Sequence, residues 1–286
     1  MVYLLLSIIT SSAIFVMFKF FERFRINMVQ ALTVNYLVAF IFGYFSASDL
    51  LTASVVISKP WISLSLLSGI LLVATFFVYA VSVEKVGVAI TSVSGKMSVV
   101  IPVLTGFVFF NETAGWMRIS GILLALLAFY LTLKKTSSQK VRLKYAILPF
   151  LLFLGNGLND SVFNISQELY ITDDFTDFLT VAFGVSLLIC LTILLIQLFG
   201  KKNKLNIRSM SAGIALGLLN WFSTYFFLVG LSFFDVSVFV PVFNASIVIV
   251  AALIGYFFFK EKFSAVNFIG ILLSVVAILL IAGIKF

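Results

Sequence analysis

The chain has 286 residues, of which 62% are hydrophobic and 10% charged; it has no histidine and a net charge of +8. Soluble domains carry about 25% charged residues, so too few polar side chains exist here to cover a water-facing surface. The same apolar excess excludes disorder and leaves a polytopic membrane protein. Without imidazole there is no His-ligated zinc, Ser–His dyad or haem ligation, and no metal or other cofactor is expected. The basic residues sit in short loops between apolar runs, a membrane pattern rather than a nucleic-acid surface.

Ten apolar runs are long enough to cross a bilayer, at 2–21, 29–47, 61–83, 87–110, 114–133, 145–166, 178–199, 210–231, 235–259 and 264–284. The first run lacks a basic leader and ends in Lys19, Glu22, Arg23 and Arg25, so it reads as a retained span. In the second, Asn35 and Tyr36 interrupt VNYLVAF, and in the third Ser68, Thr75, Tyr79 and Ser82 form a helical stripe. Asn35 and Tyr79 are candidates for a cavity wall; polar contacts between helices explain them equally well. The fourth run places Lys96 near its middle, within GKMSVVIP. A central lysine costs about 2.5–3.5 kcal/mol on insertion scales, so it is expected to face the bundle interior. It reads as an anion or carboxylate contact, with a structural ion pair as the alternative.

The sixth run contains LGNGLNDSVFN, where Asn156, Asp160 and Asn164 are spaced i, i+4, i+8 on one helix face and Asn159 lies beside them. Asp160 is the natural partner of Lys96 and the candidate for proton coupling, unless this span ends near 160 and Asp160 lies among the headgroups. The seventh run holds the single cysteine, Cys190, read as a packing residue. In the eighth, GIALG (Gly213, Gly217) suggests close helix contact, while Asn220, Trp221 and Thr224 are candidate lining residues. In the ninth, Pro241 frees a carbonyl that a substrate or Asn244 could use, or simply kinks the helix. Glu112 and Glu261, at the starts of spans five and ten, are expected to oppose the positive ends of those helices.

The chain repeats itself. Residues 106–131 lie over 255–280 at an offset of 149, with ten of 26 positions identical, including Gly106/Gly255, Glu112/Glu261 and Gly121/Gly270. The expected division is 1–135 and 136–286, five spans each. An odd number of spans makes the second unit enter from the opposite face, an inverted repeat of the kind found in secondary transporters. Fifteen of the nineteen lysines and arginines fall on the face of the 5–6 loop, which puts that loop in the cytoplasm and both termini outside.

Ten spans in two halves, with Gly-x(5)-Glu-x(8)-Gly entering spans five and ten, resemble the EamA branch of the drug/metabolite transporter superfamily. The resemblance implies transport of amino acids, other metabolites or drugs. Two departures stand out: Pro102 has Ala251 as its counterpart, and the basic loops lie away from the termini. The expected fold is thus an all-α membrane protein of ten transmembrane helices in two inverted five-helix repeats. The expected function is secondary transport of small organic solutes by alternating access, with anionic substrates favoured by Lys96. Because no nucleotide-binding loop is present, energy would come from a gradient, with protons the first candidate. A monomer in a bacterial inner membrane is expected, with a small-molecule substrate and the lipid bilayer as partners and no nucleic acid. A lipid flippase or channel is the alternative; an enzyme is not expected.

Overall fold

The computed structural model describes residues 2–47, 52–109, 115–134, 145–171, 175–200, 204–231, 233 and 236–282. Among these the fold is all helix, without strands. In hydrocarbon every backbone amide and carbonyl must be bonded within its own segment, which leaves continuous apolar runs the helix alone. The helices are α1 (Val2–Arg23), α2 (Met28–Ser46), a short α3 (Ala53–Ser58), α4 (Ile62–Lys85), α5 (Val88–Met97), α6 (Val100–Phe109), α7 (Trp116–Leu133), α8 (Ile147–Leu169), α9 (Phe175–Phe199), α10 (Ile207–Leu231), α11 (Val236–Phe257) and α12 (Ala265–Ile281).

Among the described residues, eight spans are long and apolar enough to cross a membrane, with α5 and α6 forming one interrupted span. α12 is apolar but only 17 residues are described in it. The 23-residue α8 has the length, but its asparagines and acids lower its hydropathy. It runs nine residues beyond Asp160, to Leu169. Asp160 is therefore inside a helix rather than at its end.

The run read as a single fourth span is broken between α5 and α6. The cause is Pro102, which has no N–H to return to the Ser98 carbonyl four residues earlier. The chain tightens instead. The amides of Val99 and Ile101 reach back only three residues, to the carbonyls of Lys96 (3.4 Å) and Ser98 (2.9 Å). Pro241, by contrast, is accommodated within a continuous α11.

Lipid tails are as apolar as leucine, so close approach at small residues and hydrogen bonds hold the helices together. A Cβ on Gly121 of α7 would lie 2.7 Å from the Ile281 amide nitrogen, and one on Gly270 of α12 would lie 2.6 Å from that of Thr132. Gly213 and Gly217 bring α10 against the α2 backbone, where a Cβ would meet the Ala31 carbonyl at 2.5 Å and that of Asn35 at 2.8 Å. Gly69 does the same for α4 on α9, and Ser186 donates to its carbonyl at 2.9 Å. Cys190 is buried in this packing. Large apolar side chains such as Leu123, Leu188, Ile196 and Phe199 are exposed around the outside, as a lipid-facing belt requires. The most extensive contacts among the described residues are α2 with α10, α4 with α9, α1 with α10, α4 with α8, α2 with α9, α5 with α11 and α7 with α12.

Candidate functional site

α5 is buried nearly all round. Residues Val88 to Gly95 are buried, and so are Met97 and Ser98, yet Lys96 between them is half-buried and so borders open space. It lies in the last turn of α5, where the carbonyl end of a half-helix favours a cation. Its ammonium stands 5.1 Å from the centre of the Phe243 ring of α11, within cation–π range. Lys96 and Asp160 act on each other electrostatically. Among the described residues, however, no carboxylate lies within the 4.0 Å of a direct ion pair with Lys96.

The neighbouring Gly95 has a steric role. A Cβ there would collide with the Tyr79 hydroxyl and lie 3.2 Å from Asn156 Nδ2. The missing side chain lets Tyr79 of α4 lie across α5, where its hydroxyl accepts a hydrogen bond from Asn156 at 2.7 Å. Phe15 of α1 packs edge-on against the Tyr79 ring, with centroids 5.7 Å apart. Tyr79, Lys96, Asn156 and Asp160 thus gather from α4, α5 and α8, with Phe243 beneath the ammonium. Lys96 and Asp160 are near enough to act on each other electrostatically but are not in direct ion-pair contact among the described residues.

The other candidates are distributed around this group. Asn159 accepts from Ser68 of α4 at 2.9 Å and is buried, so it ties α8 to α4. Asn164 is exposed. Asn35 and Asn220 meet between α2 and α10, with Asn220 Nδ2 3.4 Å from Asn35 Oδ1. Asn35 Nδ2 is buried with no hydrogen-bond partner among the described residues. Trp221 is buried and faces Phe42 at 6.3 Å between ring centres. Asn244 is half-buried on α11, one residue from Phe243. Sequence reasoning passed over Gly95 and Phe243. The GK pair inside an apolar run was the available signal for Gly95; nothing marked one phenylalanine among 34.

At the basic end the α4–α5 turn is gripped from two sides. Lys19 of α1 donates to the Val83 and Glu84 carbonyls at 3.3 and 3.5 Å, the negative end of α4. Glu261 accepts from the Val88 and Ala89 amides at 2.6 and 3.3 Å, the positive end of α5. Glu261 therefore caps a helix in the other half of the chain, whereas α12, the helix it was expected to oppose, is capped by Ser264 and Asn267. The Gly-x(5)-Glu spacing follows from this geometry. The Glu261 amide donates to the Gly255 carbonyl at 2.9 Å, and its carboxylate passes so close to Gly255 that a Cβ there would lie 2.5 Å from it. Gly87, at φ 112°, leaves room on the other side. Burial pushes the Glu261 carboxyl above the usual glutamate value, while the two amides and Lys19 pull it down. Glu112 lies outside the described residues.

The model of the EamA-like transporter family matches residues 1–134 and 161–283. The chain belongs to the EamA-like transporter family. A Haemophilus influenzae protein described only as "Uncharacterized protein" is 28% identical over 284 residues, covering 96% of this chain and 95% of the relative. Membership and the apolar helices make this an integral multi-pass membrane protein of a transporter family, with a small-molecule substrate and lipid as its surroundings. The family match contains Lys96, Tyr79 and Phe243 and skips 135–160, which holds Asn156, Asn159 and Asp160.

Proposed function

We propose that this EamA-like protein is a secondary transporter that moves small organic solutes by alternating access. Two inverted five-helix units, 1–135 and 136–286, would rock about a central site of Lys96, Asp160, Tyr79 and Asn156, with Asn35, Asn159, Asn164, Asn220, Trp221 and Asn244 as further candidate contacts. The observation that carries this reading is Lys96, half-buried at the end of an otherwise buried α5, where the span breaks, and without a directly paired acid among the described residues. A broken helix whose end points at a charged group is how many secondary transporters hold a solute at mid-membrane. An ammonium and a carboxylate near enough to act on each other, with an aromatic ring beneath the ammonium, suit amino acids or other metabolites and drugs carrying an anionic group.

Two features support the inverted arrangement. Exchanging the halves turns the α2–α10 contact into α9–α4 and α1–α10 into α8–α4, and both members of each pair are present. Gly121 packs on Ile281 and Gly270 on Thr132, each pair exchanged by the same offset of 149. The Lys19 and Glu261 contacts hold the α4–α5 turn at the basic end and would release when that face opens. Asp160 is the group proposed to carry a coupling proton. The setting is a bacterial inner membrane, with the 5–6 loop cytoplasmic and the protein a monomer.

Uptake of a solute panel into proteoliposomes, comparing wild type with Lys96→Ala, tests the reading. A solute carried by the wild type and lost or redirected in the variant supports it. Lipid scrambling without solute transport, or unchanged kinetics in Lys96→Ala, overturns it. Cysteines placed in the 5–6 loop should resist an impermeant thiol reagent in intact cells; efficient labelling would reverse the orientation.

A further inference from the structure

A cavity that none of the residues around Lys96 lines lies at the basic end of the bundle, between the close of α1 and the start of α10. It is a half-open groove of about 400 Å³ whose walls are almost entirely apolar, a volume within the range of about 300–1,000 Å³ typical of ligand sites. Phe20, Phe21 and Phe24 form one wall and Ile207 the other, with Ser211 and Arg208 as the polar groups. Phe24 and Ile207 are largely exposed, so the groove opens sideways rather than toward the bundle centre.

Three arginines line it or adjoin its lining residues in the chain. Arg208 lines it, Arg23 lies over the Phe24 ring at 5.9 Å, and Arg25 follows in the α1–α2 turn at φ 51°. All three are exposed, and none has a carboxylate within ion-pair distance among the described residues. Of the acids on this end, Glu84 pairs with Lys85 and Glu261 is bonded to the α5 amides, which leaves the exposed Glu22 beside the three arginines. The groove therefore offers an apolar slot under a rim of net positive charge. A free solute in water matches only the rim and a neutral lipid only the slot. An anionic amphiphile matches both.

We propose that this groove is a binding site for an anionic phospholipid, with one acyl chain between the phenylalanine wall and Ile207 and the phosphate at Arg208, Arg23 and Arg25. Basic pockets between spans on the positively charged side of membrane proteins hold anionic headgroups in this manner. The site is separate from the solute pocket and does not depend on how that pocket is read.

The test uses full-length protein in detergent titrated with phosphatidylglycerol or phosphatidylcholine, read by native mass spectrometry and by melting temperature. Wild type should retain phosphatidylglycerol over phosphatidylcholine and melt higher with it. Each juxtamembrane arginine contributes about a fivefold preference, so Arg208→Gln should lower the ratio about fivefold and Arg23→Gln/Arg208→Gln about 25-fold. Ser211→Trp, which fills the slot without touching the charge, should reduce retention of both lipids. Lys85→Gln removes a charge from the same end outside the groove and should leave the ratio unchanged. Equal retention of the two lipids by wild type overturns the site. A preference that survives in the double variant, or falls equally in Lys85→Gln, likewise overturns it.

Discussion

Replacing Lys96 with methionine separates a solute contact from a structural ion pair by the sign of its effect on stability. A lysine at mid-membrane costs about 2.5–3.5 kcal/mol. Its contact with Phe243 returns about 0.5–2 kcal/mol, and the carbonyl end of α5 about 0.3–1 kcal/mol more. Methionine keeps the length and loses all three, leaving a net gain of about 1 kcal/mol. At this chain length that raises the melting temperature by about 2–4 °C. If Lys96 were instead one member of a tight buried pair with Asp160, removing it would strand a carboxylate and cost about 3–5 kcal/mol, a fall in melting temperature of about 10 °C. The measurements are thermal unfolding of the purified protein by intrinsic tryptophan fluorescence and uptake by proteoliposomes containing the same preparation. A variant that melts slightly higher and no longer transports is the expected result. A variant that melts far lower, or transports with wild-type kinetics, refutes the reasoning.

Three more outcomes are expected. Asp160→Asn should abolish accumulation driven by a pH gradient while solute exchange continues; retained proton-driven accumulation would remove Asp160 from coupling. Because burial holds the Glu261 carboxyl above its ordinary value, the folded chain keeps that proton more readily than the unfolded one. This contribution is complete below the ordinary value and fades as pH rises through the raised one. Stability should therefore decline with pH across that window in wild type, and Glu261→Gln should flatten the decline; identical pH profiles would reject the account. Gly121→Ala and Gly270→Ala each press a methyl on backbone and should cost about 1–3 kcal/mol, whereas Gly115→Ala, with nothing within 4 Å among the described residues and only the N-cap of α7 to weaken, should cost less in the same denaturation series.

What the sequence revealed, and what it hid, follows from where the physics is local. Span positions were legible because twenty apolar residues in a row have few other uses, and among the described residues every run but the fourth, which splits into α5 and α6, overlies one helix to within a few residues. Close packing at Gly213 and Gly217 was legible for the same reason, since small residues one turn apart must face something near. The break after Met97 was in principle readable from Pro102, because the lost hydrogen bond is four residues away in the chain. The partner of Glu261 was not readable. Its acceptor geometry depends on Val88 and Ala89, more than 170 residues earlier, and only the folded chain brings them together. The i, i+4, i+8 pattern of α8 was informative about angle but not depth: Asn156 and Asp160 are half-buried beside Tyr79 and Lys96, while Asn164, a turn further along, is exposed. A helix that tilts away from its neighbours carries a single face from the interior to the outside, and spacing alone does not record the tilt.

The packing frame and the charged site obey different rules. Gly121 with Ile281 and Gly270 with Thr132 are interchangeable under the offset of 149, as are the major interhelical contacts. The chemistry is not interchangeable. The counterpart of Lys96 is Ala245, that of Pro102 is Ala251, and that of Asp160 is Ser11, which hydrogen-bonds to Ser223 at 2.6 Å. Electrostatics accounts for the difference. A lysine at 245 would bring a second ammonium to the helix that carries Phe243, adding another insertion cost of about 2.5–3.5 kcal/mol and a like-charge repulsion in a medium that screens poorly. The glycine contacts thus repeat between the halves, whereas Lys96 and Asp160 each have an uncharged counterpart. Under the proposed alternating-access reading, two bundles with the same backbone fit would exchange roles around one ammonium and one carboxylate.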